Sequence, residues 1–189
     1  CAFVAMEPQT AHVKAWVGDI DFNHWKYDKV TAQRQPGSTF KLFVYTEAME
    51  QGLTPCDKRR DEYFSMKVWD ATKKQEVTWA PTNANGTFSN DSMPLRAAFA
   101  RSINSVAVRL GQEMGIKNII ETAHVMGIKS PLDEAPALAL GSSDVNLLEM
   151  ANAYSTVAND GKAHPEAILV TKILDREGNE IYVAPSEQK

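Results

Sequence analysis

Two serines, a lysine and an asparagine stand out by type and spacing. Ser38 and Lys41 lie in the run Gln35-Pro-Gly-Ser-Thr-Phe-Lys41, three positions apart. On a helix that spacing puts both on one face, one turn apart. A serine hydroxyl becomes a useful nucleophile when a base within reach takes its proton, and an amine is such a base. A helix N-terminus also favours the negative charge that develops on a carbonyl oxygen under attack. Ser102-Ile103-Asn104 is the one S-x-N in the sequence. On a turn, its hydroxyl and amide can face a cleft together. The hydroxyl would relay a proton to a leaving amine, and the amide would hold Lys41 and an amide of the substrate. Each pattern also has an ordinary reading. Ser and Asn are common at junctions between helices. At average residue usage, S-x-x-K arises by chance about once in a chain of this size. A second copy, Ser186-Glu-Gln-Lys189, lies in a polar tail with no apolar helix behind it, and we discount it.

The element that must position Ser38 and Lys41 runs from Gln35 to Gly52. Phe40, Leu42, Phe43, Val44, Tyr45, Ala48 and Met49 surround much of its cylinder, so the helix belongs inside a fold. Pro36 and Gly37 suit a sharp entry. Gly52 suits the position just past the end, and Pro55 prevents continuation.

The 189 residues are 43% hydrophobic and 23% charged, enough for one sizeable core. The net charge is −4, and no basic stripe alternates with aromatics, so nucleic acid is not an expected partner. No apolar run approaches the roughly 18 residues of a membrane span, and no signal peptide is evident. The chain opens at Cys1 on what reads as a strand already under way, and we expect it to be a piece of something longer. Cys1 and Cys56 can pair or stay free, and two distant thiols do not make a structural zinc site. His12, His24, His124 and His164 form no close pair, and we expect no metal.

Along the chain, residues 2–6 and 12–17 read as a hairpin around Glu7-Pro-Gln-Thr-Ala11. Residues 18–34 read as a loop. Residues 53–94 are irregular, and the mixed charges of Asp57-Lys-Arg-Arg-Asp-Glu62 read as a solvated surface. Ser92 suits an N-cap, with Pro94 in the first turn of a short helix to Arg101. Val106, Ala107, Leu110 and Met114 mark a helix to Gly115, and residues 116–126 another, closed by Gly127. Asn146 and Glu149 have capping-box spacing before a helix ending near Asn159. Residues 167–174 and 180–183 flank Arg176-Glu-Gly-Asn as a second hairpin. The class is mixed α/β (α+β): a hairpin, a mostly helical middle and another hairpin.

Arg34-Gln-Pro-Gly-Ser-Thr-Phe-Lys41 resembles the active-site signature of the penicillin-binding protein transpeptidase domain, especially of the class A type. Trp79-x-Pro81-x-Asn83 and then Leu95-Arg-Ala-Ala-Phe-Ala-Arg-Ser-Ile-Asn104 are similar to that family's second motif and its lead-in. Leu138-Ala-Leu-Gly141, with Leu148-Glu-Met-Ala-Asn-Ala-Tyr-Ser-Thr-Val-Ala-Asn-Asp-Gly161, resembles the segment that follows. The likeness covers most of the chain, in order. It implies the serine β-lactamase/DD-peptidase fold, a helical cluster packed on an antiparallel sheet. Ser38 would attack the carbonyl of a D-Ala-D-Ala stem peptide of peptidoglycan, or a β-lactam, with no cofactor. Lys41 would be the base, Ser102 and Asn104 the proton relay and substrate grip, and the Ser38 backbone N–H one half of the oxyanion hole. An ordinary lysine titrates near 10.4, so a mainly neutral Lys41 at pH 7 needs a shift of more than ~3 units. Either burial supplies it, or Lys41 stays charged and Ser102 passes the proton.

Two departures matter. Thr10-Ala11 stands where the family often has Thr-Gly. The third motif, K-[ST]-G, does not occur. In the family it lies on a strand beyond the second hairpin and supplies the other oxyanion N–H and groups that bind the substrate carboxylate. We therefore expect residues 1–189 to be part of a longer domain whose sheet is incomplete here. The parent would be extracytoplasmic, held by an N-terminal transmembrane anchor; the class A resemblance alone implies a glycosyltransferase domain upstream. The fragment alone would be inactive. A β-lactamase is a rival, but no E-x-x-L-N stretch lies between Asn104 and Asp160. A non-catalytic β-lactam sensor or degenerate binding domain is the rival from another class.

Overall fold

The computed structural model describes residues 1–185 other than Phe22, Trp25 and Ala71. The Ser186–Lys189 copy of the serine–lysine pattern lies outside the described residues. The chain divides into two compact units. One comprises Cys1–Arg34, His124–Ser130 and Val145–Lys189, and the other Gln35–Ala123 and Pro131–Asp144. The described strands form four separate two-stranded antiparallel ladders.

The second unit is built around the expected central helix. Gly37–Phe40 is a 3₁₀ turn that leads directly into α1, Lys41–Glu50. Gly52 follows at φ 92°, as expected past a helix end. Leu42, Phe43, Val44 and Tyr45, at successive steps of about 100° round the cylinder, are all buried. Phe40 and Phe43 meet edge to face at 4.8 Å, an arrangement that adds about 0.5–1.5 kcal/mol to their area burial. α1 packs against α2 (Leu95–Ala100), α3 (Asn104–Met114) and the 3₁₀ segment Pro136–Leu140. α3 presents Val106, Ala107, Leu110 and Met114 to this core, as its spacing requires. Helix α4, Ile116–Val125, follows after Gly115 at φ 89°.

Residues 53–94 correct the irregular reading. β3 (Lys58–Arg60) pairs with β6 (Ser92–Pro94), and β4 (Met66–Asp70) pairs with β5 (Gln75–Trp79). Ser92 is therefore not an N-cap. It pairs with Arg60, and Pro94 is extended at ψ 146°. The cross-strand pairing, absent from local sequence, holds these three residues out of the helix. The charged run 57–62 is also corrected in one residue: Asp61 is 2% exposed.

In the first unit, β1 (Phe3–Met6) and β2 (Val13–Val17) form the expected hairpin. Ala11 takes φ 57° with its methyl fully buried, a left-handed backbone that glycine adopts without strain. His12 also bridges to Ile168 in parallel. α5, Leu147–Ala158, packs on β1. Asn146 caps it by accepting from the Glu149 N–H at 2.9 Å, and its own amide donates to Glu149 Oε1 at 2.9 Å. The second hairpin pairs β7 (Lys172–Leu174) with β8 (Glu180–Val183). Its first arm is shorter than expected, because residues 167–171 lie outside β7. Both strands are exposed along their whole length.

Candidate active site

Three of the four candidate residues, Lys41, Ser102 and Asn104, meet in the second unit, and Ser38 lies one turn before Lys41. Ser38 sits on the 3₁₀ turn and is exposed, while Lys41 opens α1 and is 1% exposed. The turn is pinned by the Thr39 hydroxyl, which donates to the Pro36 carbonyl at 2.7 Å. It is also backed closely by Gly141. A Cβ at that position, where φ is 75°, would stand 2.2 Å from the Gly37 carbonyl oxygen.

Lys41 Nζ donates three hydrogen bonds, to the Ser102 carbonyl at 2.8 Å, to Ser102 Oγ at 3.0 Å and to Asn104 Oδ1 at 2.6 Å. Ser38 Oγ is not among its partners. Three acceptors satisfy the three protons of an ammonium. Burial lowers the Lys41 pKa from 10.5 to about 8. The apolar helix therefore acts in the expected direction but does not make the amine mainly neutral at pH 7. About one molecule in ten is neutral there, from the one-unit gap.

Ser102 reaches Lys41 because it takes φ 54°, a left-handed turn between α2 and α3. Its backbone N–H donates to the Phe99 carbonyl at 2.9 Å, and that of Ile103 donates to the Ala98 carbonyl at 3.0 Å. Together they close α2 and swing the chain so that Asn104 begins α3. The Asn104 side chain is held at both ends. Its Oδ1 receives Lys41, and its Nδ2 donates to the Thr82 carbonyl at 2.8 Å.

Two further residues complete the arrangement. Asn83, 5% exposed, caps α3 from outside the helix: its Oδ1 accepts from the N–H groups of Asn104 at 2.9 Å and Ser105 at 3.2 Å. The sequence marks Asn83 through W-x-P-x-N but gives it no role. Asp61 lies beneath it and accepts from Asn83 Nδ2 at 2.7 Å, Ser105 Oγ at 2.6 Å and the Ser89 N–H at 2.8 Å. Burial pushes the Asp61 carboxyl upward, but the hydrogen bonds from Ser105, Ser89 and Asn83 overcome this and hold it below its ordinary value. No sequence signal sets Asp61 apart from its charged neighbours.

Chemically, the site offers an exposed hydroxyl on a tight turn and, one turn in, a buried amine whose proton is shared with a second hydroxyl. Such a set suits acyl transfer through a serine ester.

The sequence model of the penicillin binding protein transpeptidase domain matches residues 1–189. The chain is 35% identical over 188 residues to penicillin-binding protein 2D of Bacillus subtilis, covering 99% of this chain and 26% of that protein. It is 36% identical over 182 residues to penicillin-binding protein 1A of Rickettsia prowazekii, covering 96% of this chain and 22% of that one. The crystal structure of penicillin-binding protein 1A from Haemophilus influenzae superposes with a TM-score of 0.83 at 28% identity, over 98% of this chain and 27% of that one. The chain thus spans about a quarter of the length of these relatives.

Proposed function

Because the chain belongs to the penicillin-binding protein transpeptidase family, we propose that it carries the nucleophile half of a peptidoglycan D,D-transpeptidase site. Ser38 Oγ attacks the carbonyl between the two D-alanines of a stem peptide. The Oγ–C bond forms, the C–N bond breaks, and the terminal D-alanine leaves as an amine carrying the serine's proton. An acceptor amine then attacks the ester, a new amide cross-links the wall, and Ser38 recovers a proton. With water as acceptor the outcome is a carboxypeptidase reaction. A β-lactam acylates the same oxygen. The observation that carries this reading is the buried Lys41 ammonium, one turn from Ser38, held by Ser102 and Asn104. In this scheme the neutral fraction of Lys41 takes the Ser38 proton, and Ser102 passes it to the leaving nitrogen. Asn104 holds Lys41 and, through its amide, the substrate. The Ser38 N–H supplies one oxyanion donor.

A second donor and a carboxylate grip belong to a K-[ST]-G strand. We propose that residues 1–189 form part of a longer domain whose remainder carries that strand, and that the segment alone does not turn over. The greater length of the relatives supports this. A missing oxyanion donor lowers such rates by about 10²–10³. Because its substrate lies outside the cytoplasmic membrane, the parent works there, on a membrane anchor. No helix among the described residues is long and apolar enough to cross a membrane.

Fluorescent penicillin labelling of the full-length protein tests the assignment. The wild type takes a long-lived label, and Ser38→Ala takes none. Transfer of a stem peptide to an added amine separates a transpeptidase from a sensor that only binds. Equal labelling without Ser38 would overturn the reading.

A further inference from the structure

We propose that Asp61, acting through Asn83, is a positioning residue for the reaction: it sets the direction of the Asn83 amide and so places Asn104 against Lys41. The inference rests on the serine acyl-transfer reading above.

Asp61 is 2% exposed and lies at the end of β3, far in sequence from both motifs. Its carboxylate meets three donors, Asn83 Nδ2, Ser105 Oγ and the Ser89 N–H, within 2.8 Å. An ionised carboxylate accepts all three, because it has acceptors only. The Asn83 NH₂ must therefore face Asp61, where it also donates to the Thr87 carbonyl at 2.9 Å. With the NH₂ fixed there, Asn83 Oδ1 faces the first N–H groups of α3. The Asn104 backbone is then anchored by Asn83, and its Nδ2 by the neighbouring Thr82 carbonyl. What remains of the side chain, Oδ1, points at Lys41 Nζ at 2.6 Å. A negative charge beneath the start of α3 also suits the positive end of that helix.

Asp61→Asn keeps the shape and removes the logic. An NH₂ then replaces either the oxygen that takes the Ser89 N–H or the one shared by Asn83 Nδ2 and Ser105 Oγ, so either the Ser89 loop or the Asn83 amide gives way. The experiment measures β-lactam acylation of the full-length protein against pH, on the folded, titrated fraction and below each variant's melting temperature. Wild type, Asp61→Asn, Asn83→Ala and the double variant are compared. Acylation of the wild type on Ser38 is checked first, and its absence would refute the proposed function rather than this inference. We expect each single variant to slow the acylation step by about tenfold to a hundredfold, the range for a slightly misplaced group. Noncovalent affinity for the β-lactam should fall less than the acylation step, because Asn104 also grips the substrate. The inflection assigned to Lys41 should move to lower pH, because the ammonium loses an acceptor. The double variant should be no slower than Asn83→Ala, since both act along one line. Variants that melt earlier yet keep the wild-type acylation step and inflection would make Asp61 merely structural. Losses that multiply in the double variant would also overturn the proposal. Should Asn83→Ala not fold, the isosteric Asp61→Asn alone decides through its inflection.

Discussion

Lys41 is the residue on which the pH behaviour turns. Its pKa falls from 10.5 to about 8 on burial. Below pH 8 the folded and unfolded chains both carry the proton, and folding must bury an ammonium. Between about 8 and 10.5 the folded chain has released the proton while the unfolded chain still holds it, so stability rises with pH through that window. The 2.5-unit gap corresponds to about 3 kcal/mol. Denaturant unfolding of wild type against Lys41→Met should therefore show a difference that is flat below pH 7.5 and moves in favour of wild type by up to about 3 kcal/mol by pH 10.5. A difference independent of pH would show that Lys41 titrates normally. The same proton should govern the chemistry. Acylation should rise nearly tenfold per pH unit below 8 and level off above it if the neutral amine accepts the Ser38 proton. A profile flat through pH 8 would assign that task to Ser102 beside a charged lysine.

Among the elements, the 3₁₀ turn carrying Ser38 has the least room. A Cβ on Gly141 would meet Gly37 N at 2.6 Å as well as its carbonyl oxygen, both backbone atoms that cannot swing aside. Gly141→Ala should slow acylation by about a hundredfold by displacing the nucleophile's turn. Gly178→Ala is the control. It has a similar φ of 91° but nothing within 4 Å, so it should reduce stability by about 1 kcal/mol and leave acylation alone. Equal rates for wild type and Gly141→Ala would mean the turn yields freely. The elements differ in how plainly the sequence shows them. α1 is legible because its apolar residues encircle it, α3 because its apolar residues repeat at helical spacing, and α5 because Asn146 and Glu149 mark its start. Lys41 and Ser38 are legible for a local reason, since one turn of helix relates them. β6 is not. Ser92 and Pro94 have the types of a helix start, and only their pairing with β3 makes them a strand. β4 and β5 are five residues each and only half-buried, so their alternation is weak. Asp61 is hidden for the deepest reason. A buried carboxylate is recognised by its donors, and those come from residues 83, 89 and 105.

At the scale of the whole molecule, the second hairpin shows apolar side chains on both of its strands. Ile173, Leu174, Ile181, Tyr182 and Val183 of the second hairpin are each at least 43% exposed. A two-stranded hairpin of this kind is marginal unless something covers it. Residues 1–189 expressed alone should bind ANS strongly and self-associate, and the full-length protein should do neither. A monomeric segment with no dye response would mean the hairpin is self-sufficient. The lysine's own cage answers to other constraints. Each hydrogen bond that holds Lys41, and each one that props Asn104, has both ends between residues 41 and 105. Lineage-specific rewriting of the second hairpin can thus accumulate with every one of those partners kept, whereas a change at Asn83, Ser102 or Asn104 removes one directly.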